Sequence, residues 1–151
     1  MTNRNEMIFM SKVMVFGTFD GLHDGHLHFF REAAEFAEEL LVVVARDEHV
    51  LELKGKLPNR PLAERMEYVG YESEVSVVLE GDIELETYGV IHEHQPDLIV
   101  IGHDQDELRE SIQTWCKEQA VDLRIMTASA YMPDVFKSSY LNAEQEEVGV
   151  L

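Results

Sequence analysis

Residues 16–27 read FGTFDGLHDGHL, and this stretch organises the rest of the chain. It follows an apolar run at residues 13–16 and opens a segment of helical periodicity, so it predicts a strand, a glycine-rich turn and the start of a helix. A helix start offers unpaired backbone N–H groups and the positive end of a dipole, both of which favour phosphate binding. His23 and His26 add side-chain donors at the same place, so the stretch indicates a phosphate site.

The composition indicates one globular domain with an acidic surface. The 151 residues are 45% hydrophobic and carry a formal charge of −18. This charge argues against nucleic acid as a partner, since phosphate backbones are held by clustered lysine and arginine. No apolar run approaches the roughly 20 residues that cross a membrane, and the first residues do not resemble a secretion signal. We therefore expect a cytoplasmic protein with an N-terminal tail at residues 1–11 and one domain at residues 12–151.

Basic residues are few, but one group of them is concentrated. Lys54, Lys56, Arg60 and Arg65 fall in one short window and are four of the 12 lysines and arginines. A local positive patch can hold an anion in an acidic protein, because charges beyond about 8–10 Å are largely screened at physiological salt. The four basic residues of this window could bind a phosphorylated ligand. The alternative for each of them is an ordinary solvated charge on the surface.

Apolar runs alternate with segments of helical periodicity along the chain. Strands are predicted at residues 12–16, 40–45, 75–79, 97–101 and 123–126. Helices are predicted with an apolar face from Leu27 to Leu41, at residues 62–69 and 83–94, and around residues 108–115. This alternation indicates an α/β fold with a single doubly wound, mainly parallel five-stranded sheet, Rossmann-like with strand order 3-2-1-4-5.

That strand order brings two polar turns together. Residues 17–26, here called the first turn, follow the first strand, and residues 102–105, the second turn, follow the fourth. Ligands of doubly wound sheets bind at the carboxyl ends of the strands, where the strand order reverses. We therefore expect the binding site between these two turns.

The first turn resembles the signature of the cytidylyltransferase-like nucleotidyltransferases, in which Gly-x-Phe-Asp is followed by His-x-Gly-His. The match is GTFD at residues 17–20 and HDGH at residues 23–26. The resemblance implies attack of an acceptor phosphate on the α-phosphorus of a nucleoside triphosphate, with release of pyrophosphate. It implies that His23 and His26 stabilise charge at the α-phosphate and that Lys54 holds a phosphate group.

Further motifs are similar to those of archaeal-type FAD synthases, which adenylylate FMN. They are VARD at residues 44–47, KG at 54–55, EGDI at 80–83, PDLI at 96–99, GHDQ at 102–105 and KSS at 137–139. The resemblance implies nucleotide contacts at Gly17, Thr18, Phe19, Asp20, Gly25, Gly102, Asp104, Tyr131, Ser138 and Ser139. It also implies acceptor or phosphate contacts at Arg65 and Lys137. A Mg²⁺ ion is expected with the nucleotide and not in a metal site of the protein, and a homodimer is a common assembly in the family.

Two other functions stay open on the sequence. One is a glycerol-3-phosphate cytidylyltransferase or a related polar alcohol-phosphate enzyme, whose late Arg-Thr-x-Gly-Ile-Ser-Thr stretch is replaced here by FKSSY at residues 136–140. That stretch lacks both the arginine and the glycine, which favours ATP over CTP. The other is a non-catalytic nucleotide-binding regulator, which would not need two histidines, Lys54 and Ser138 together.

Overall fold

The computed structural model describes residues 10–130, which form a parallel sheet covered by helices on both faces. The strands are β1 Met10–Gly17, β2 Ala37–Val44, β3 Val77–Glu80, β4 Leu98–Ile101 and β5 Arg124–Thr127. Their order in the sheet is β3-β2-β1-β4-β5, and every pairing is parallel. The predicted doubly wound α/β fold and its strand order are confirmed.

Helices follow the strands at both faces of this sheet. They are α1 Asp24–Ala34, α2 Asp47–Lys54, α3 Leu62–Gly70, α4 Gly89–His94 and α5 Asp106–Gln119. Buried side chains of α1 and α3 belong to one core cluster, and those of α4 and α5 belong to a second. Among these residues no helix is long and apolar enough to span a bilayer.

The two core clusters follow from the alternation of side chains along β1 and β2. Val13 and Val15 point into the cluster of α1 and α3, whereas Met14 points into the cluster of α4 and α5. All three side chains are 0% exposed. A central parallel strand is buried on both faces, which explains why β1 and β2 read as continuous apolar runs and not as an alternation with polar residues.

The first predicted helix is too long by one turn or more. It ends at Ala34, and β2 already begins at Ala37. The cause lies in β1, which starts at Met10, two residues before the predicted start, and pairs Met10 with Ala37. This pairing draws the apolar positions at 37 and 41 into the sheet and away from the helix face to which their spacing assigned them.

The predicted helix at residues 83–94 is shorter in the structure. Only Gly89–His94 is helical, and Glu86 and Tyr88 have positive φ angles of 66° and 48°. Such left-handed residues cannot continue a right-handed helix. Residues 83–87, here called the pocket wall, therefore form an exposed loop before α4.

Candidate active site

The first turn is built around a close approach between a glycine and an aromatic ring. Phe19 has a φ angle of 53°, and its ring folds back beneath Gly17. A Cβ atom on Gly17 would lie 2.6 Å from that ring, so only glycine fits here. Phe19 is 1% exposed, so its side chain shapes the turn from inside the core. This position disagrees with a nucleotide contact through the Phe19 side chain.

The two histidines of the first turn cap α1 reciprocally. Nδ1 of His23 accepts the Gly25 N–H at 3.1 Å, and Nδ1 of His26 accepts the His23 N–H at 3.2 Å. The arrangement corresponds to a capping box in which imidazoles replace the usual hydroxyl and carboxylate. Because each Nδ1 acts as an acceptor, each neutral ring carries its proton on Nε2. The caps thus fix the Nε2–H tautomer on both rings.

The two rings differ in their surroundings. Their centroids are 3.9 Å apart at an angle of 31°, and His26 and Phe19 form an edge-to-face pair with a centroid distance of 5.5 Å. His23 is exposed, whereas His26 is 2% exposed. His23 is therefore the histidine at the surface of the site, and His26 is held between His23 and Phe19.

Arg65 lies beneath the site and not on its surface. Its side chain is 0% exposed. Nη1 donates to the carbonyl oxygens of Thr18 and Ala45, both at 2.8 Å, Nε donates to the Arg60 carbonyl at 2.9 Å, and Nη2 pairs with the Asp47 carboxylate at 2.6 Å. This geometry disagrees with the expected acceptor or phosphate contact. The hydrogen bonds of Arg65 instead connect the ends of β1 and β2 to the starts of α2 and α3.

Asp20 has a similar supporting position. Its carboxylate oxygens accept the backbone N–H groups of Asn59 at 2.6 Å and Arg60 at 3.0 Å. Both oxygens are thereby engaged by the segment that precedes α3. Asp20 thus ties the first turn to the segment before α3, a structural role separate from the nucleotide contact that the resemblance implies.

A buried glutamine joins the first and second turns. Gln105 is 2% exposed. Its Oε1 accepts the Gly102 N–H at 2.6 Å, and its Nε2 donates to the Phe16 carbonyl at 2.9 Å. The end of β4 is therefore locked to the end of β1, as the predicted crevice requires. Gln105 belongs to the GHDQ motif, but no role was predicted for it from the sequence.

A cavity of about 500 Å³ opens beside these turns at the carboxyl edge of the sheet. Gly17, Thr18, Lys54 and Asp104 lie on its lining and so come together as predicted. Apolar side chains cover much of the lining, namely Phe16, Val43, Val50, Leu53, Leu85, Tyr88 and Leu108. Six carboxylates also lie on the lining, namely Asp82, Glu84, Glu86, Asp104, Asp106 and Glu107. His23 and His26 are not part of this lining and lie at the start of α1.

Among residues 10–130, Lys54 is the one lysine or arginine on the lining of this cavity. It is the last residue of α2, which ends at Gly55 with a left-handed φ angle of 83°. Burial lowers the pKa of Lys54, and the carboxylates of Asp20 and Asp104 act against that shift. The ammonium group is therefore partly desolvated and lies near carboxylates of both turns, and it is the cation on this lining that can pair with an anionic ligand.

The described chain offers no metal cage of its own. Between residues 10 and 130, no three His, Cys, Asp or Glu side chains are grouped so that they could hold an ion.

Four predicted site residues lie outside the described residues: Tyr131, Lys137, Ser138 and Ser139. His49, to which the sequence assigned no role, is 9% exposed and lies on the cavity lining; its partner, the Ile83 carbonyl, is 34 residues away, so no local pattern indicated the contact.

The first turn, with its His-x-Gly-His helix start, lies with Lys54 at the carboxyl edge of a doubly wound sheet, and comparisons with known proteins give the class of protein. A model of the family described as cytidylyltransferase-like matches residues 14–142. The chain belongs to this family, and it is an enzyme of the nucleotidyltransferase class.

Individual relatives agree with this assignment. The chain is 33% identical over 129 residues to a protein named FAD synthase from Thermococcus sibiricus, covering 85% of this chain and 87% of that one. It is 36% identical over 125 residues to a FAD synthase from Halorhabdus utahensis, covering 82% and 85%. Among solved structures, a lipopolysaccharide core biosynthesis protein from Thermoplasma volcanium is 31% identical with a TM-score of 0.74, covering 82% of this chain and 99% of that chain.

Proposed function

We propose that the protein transfers the adenylyl group of ATP to the phosphate of FMN, producing FAD and pyrophosphate. The names of its relatives support this acceptor, and the motifs shared with archaeal-type FAD synthases support ATP over CTP. Because the reaction uses soluble metabolites of central metabolism, we also propose that the protein acts in the cytoplasm.

The observation that carries the proposal is the cavity beside Lys54. Its volume of about 500 Å³ lies in the range of pockets for drug-sized ligands, about 300–1,000 Å³. Its apolar lining suits a large flat ring, and its one lysine suits a single phosphate. Glycerol 3-phosphate has a phosphate but no apolar body, so it would leave most of this lining without a partner.

The chemistry follows from the groups around the first turn. A phosphate oxygen of FMN attacks the α-phosphorus of ATP, a new P–O bond forms, and the bond to the β-phosphate oxygen breaks to release pyrophosphate. Such transfer depends on positioning and charge stabilisation more than on covalent help from the protein. The Nε2–H groups of His23 and His26 are the proposed donors to the α-phosphate, whose negative charge grows in the transition state.

Lys54 is proposed to hold the acceptor phosphate between the two substrates. It lies on the cavity lining together with Gly17, Thr18 and Asp104, so a phosphate bound to it stays close to the switch point of the sheet, where nucleotides bind in such folds. A divalent ion, Mg²⁺, is proposed to enter with ATP, because triphosphate oxygens and water supply most of its ligands in such sites.

Pyrophosphate release tests the proposal directly. The purified protein is incubated with each of four nucleoside triphosphates and each of four acceptors: FMN, glycerol 3-phosphate, phosphocholine and phosphopantetheine. We expect release with ATP and FMN, together with FAD as the second product. Release with CTP and glycerol 3-phosphate alone would contradict the proposal and favour the cytidylyltransferase alternative.

A further inference from the structure

The pocket wall is the part of the cavity that the fold holds least firmly. Residues 83–87 are all exposed, and Ile83 is 74% exposed. Little apolar burial therefore fixes their position. Glu86 also has a left-handed φ angle of 66°, a conformation that costs a non-glycine residue free energy and persists only where the surroundings enforce it.

Both ends of the pocket wall are anchored to neighbouring elements. On one side, the Asp82 carboxylate accepts the Val90 N–H at 3.4 Å. On the other side, the Tyr88 hydroxyl lies 2.7 Å from the Ser111 hydroxyl, and Tyr88 is 8% exposed. These contacts fix where the wall begins and ends, but they leave the position of its middle open.

One side chain of another element that lines the cavity reaches the wall. Nε2 of His49 donates to the Ile83 carbonyl at 2.9 Å. Within residues 10–130, this is the one hydrogen bond between the pocket wall and another element. The other hydrogen bond of the wall runs from the Thr87 hydroxyl to the Glu84 carbonyl and is internal to it. His49 belongs to α2, the helix that ends at Lys54.

Charge works against this contact. Glu84 and Glu86 line the cavity from the wall, and Asp104, Asp106 and Glu107 line it from the second turn and the start of α5. Like charges that face one cavity repel. A wall with little burial and a left-handed residue then depends on its hydrogen bond to α2 to stay in place.

We propose that His49 is a positioning residue for the acceptor: it holds the pocket wall at the distance from Lys54 that fits the acceptor's ring. The inference rests on the proposed function for the identity of the acceptor, FMN. Loss of the His49 bond would let the wall move outward, so Leu85 would no longer pack on the ring. The nucleotide, which binds between the two turns, would be unaffected.

The test compares three variants of the full chain with the wild type. His49→Leu removes the donor at similar bulk, His49→Gln keeps an N–H donor in reach of Ile83, and His92→Leu is the matched control at an exposed histidine of α4. We expect His49→Leu to raise the KM for FMN about tenfold, the value of one hydrogen bond, with kcat and the KM for ATP within twofold of wild type. His49→Gln should restore the KM for FMN to within about threefold, and His92→Leu should leave it unchanged.

A second measurement follows the wall without any substrate. A glutamate-specific protease should cut after Glu84 or Glu86 several times faster in His49→Leu than in wild type, His49→Gln or His92→Leu. Unchanged cutting together with an unchanged KM for FMN in His49→Leu would overturn the inference, as would an equal rise of both KM values. If the wild type makes no FAD, the proposed function fails, and the cutting rates alone then decide whether His49 holds the wall.

Discussion

The first turn and the pocket wall border the same edge of the sheet but are held in opposite ways. In the first turn, buried residues such as Phe19 and His26 are enclosed by the core and by reciprocal caps. In the pocket wall, five consecutive residues are exposed, and one hydrogen bond from His49 reaches them from another element of the described chain.

This difference matches what each region has to do. Groups that stabilise a transition state must be fixed before the reaction, because reorganising them costs free energy at the moment when they are needed. A wall that admits a bulky acceptor can be held by fewer contacts. We therefore expect substitutions near the first turn to affect stability or turnover, and substitutions around the cavity to affect acceptor affinity.

The largest effect is expected where the support of the first turn is removed. Arg65→Met leaves the carbonyl groups of Thr18, Ala45 and Arg60 without their charged donor. It should lower the free energy of unfolding by about 3–5 kcal/mol, measured by urea denaturation. Arg60→Met is the control, because its side chain is 42% exposed and pairs with Glu64 at the surface; we expect a change below about 1 kcal/mol. Equal losses of unfolding free energy in the two variants would contradict the supporting role of Arg65 beneath the first turn.

The next effect concerns turnover alone. His26→Asn keeps a side-chain acceptor for the His23 N–H but removes the Nε2–H donor. We expect kcat to fall about 100- to 1,000-fold, as for the loss of one preorganised donor, while the melting temperature stays within a few degrees. His92→Asn, at an exposed position of α4, should leave kcat unchanged. Near-normal turnover in His26→Asn would remove His26 from the chemistry.

A smaller effect is expected at the mouth of the cavity. Leu53 lines the cavity yet is 69% exposed, so it contributes little to folding and becomes covered when a ring binds. Leu53→Ala should weaken FMN binding about fivefold, corresponding to about 1 kcal/mol of lost apolar burial, with no change in the melting temperature. Flavin fluorescence titration gives the affinity. Leu51→Ala, at the exposed Leu51 of the same helix, is the control, and equal effects of both would argue against the cavity as the ring site.

The smallest effect concerns the pH dependence of Lys54. Burial lowers its pKa, and Asp104 partly opposes that shift. The cation is the form that holds phosphate, so kcat/KM falls as pH rises through this pKa. Asp104→Asn removes one of the two opposing charges, Asp20 being the other, and should move the alkaline limb of the pH profile to lower pH, whereas Lys54→Arg should move it to higher pH. A limb that stays in place in both variants would show that Lys54 does not determine it.

The strand order and the first turn could be predicted because their signals are local. Continuous apolar runs identify buried parallel strands, and the glycines and histidines of the first turn lie within ten residues. The role of Arg65 could not be predicted in this way, since its partners at residues 18, 45, 47 and 60 meet only in the folded chain. The pocket wall was predicted as helix because Leu85, Tyr88 and Ile91 have helical spacing, but the left-handed residues Glu86 and Tyr88 break that helix.

The most direct test of the proposed function is the position of the flavin in a crystal of the protein with FMN and a non-reactive ATP analogue. We expect the isoalloxazine ring in the cavity between Leu53 and Leu85, the FMN phosphate at Lys54 and the α-phosphate of the nucleotide at His23. A flavin bound outside the cavity, or a cavity filled by the adenine ring, would contradict it.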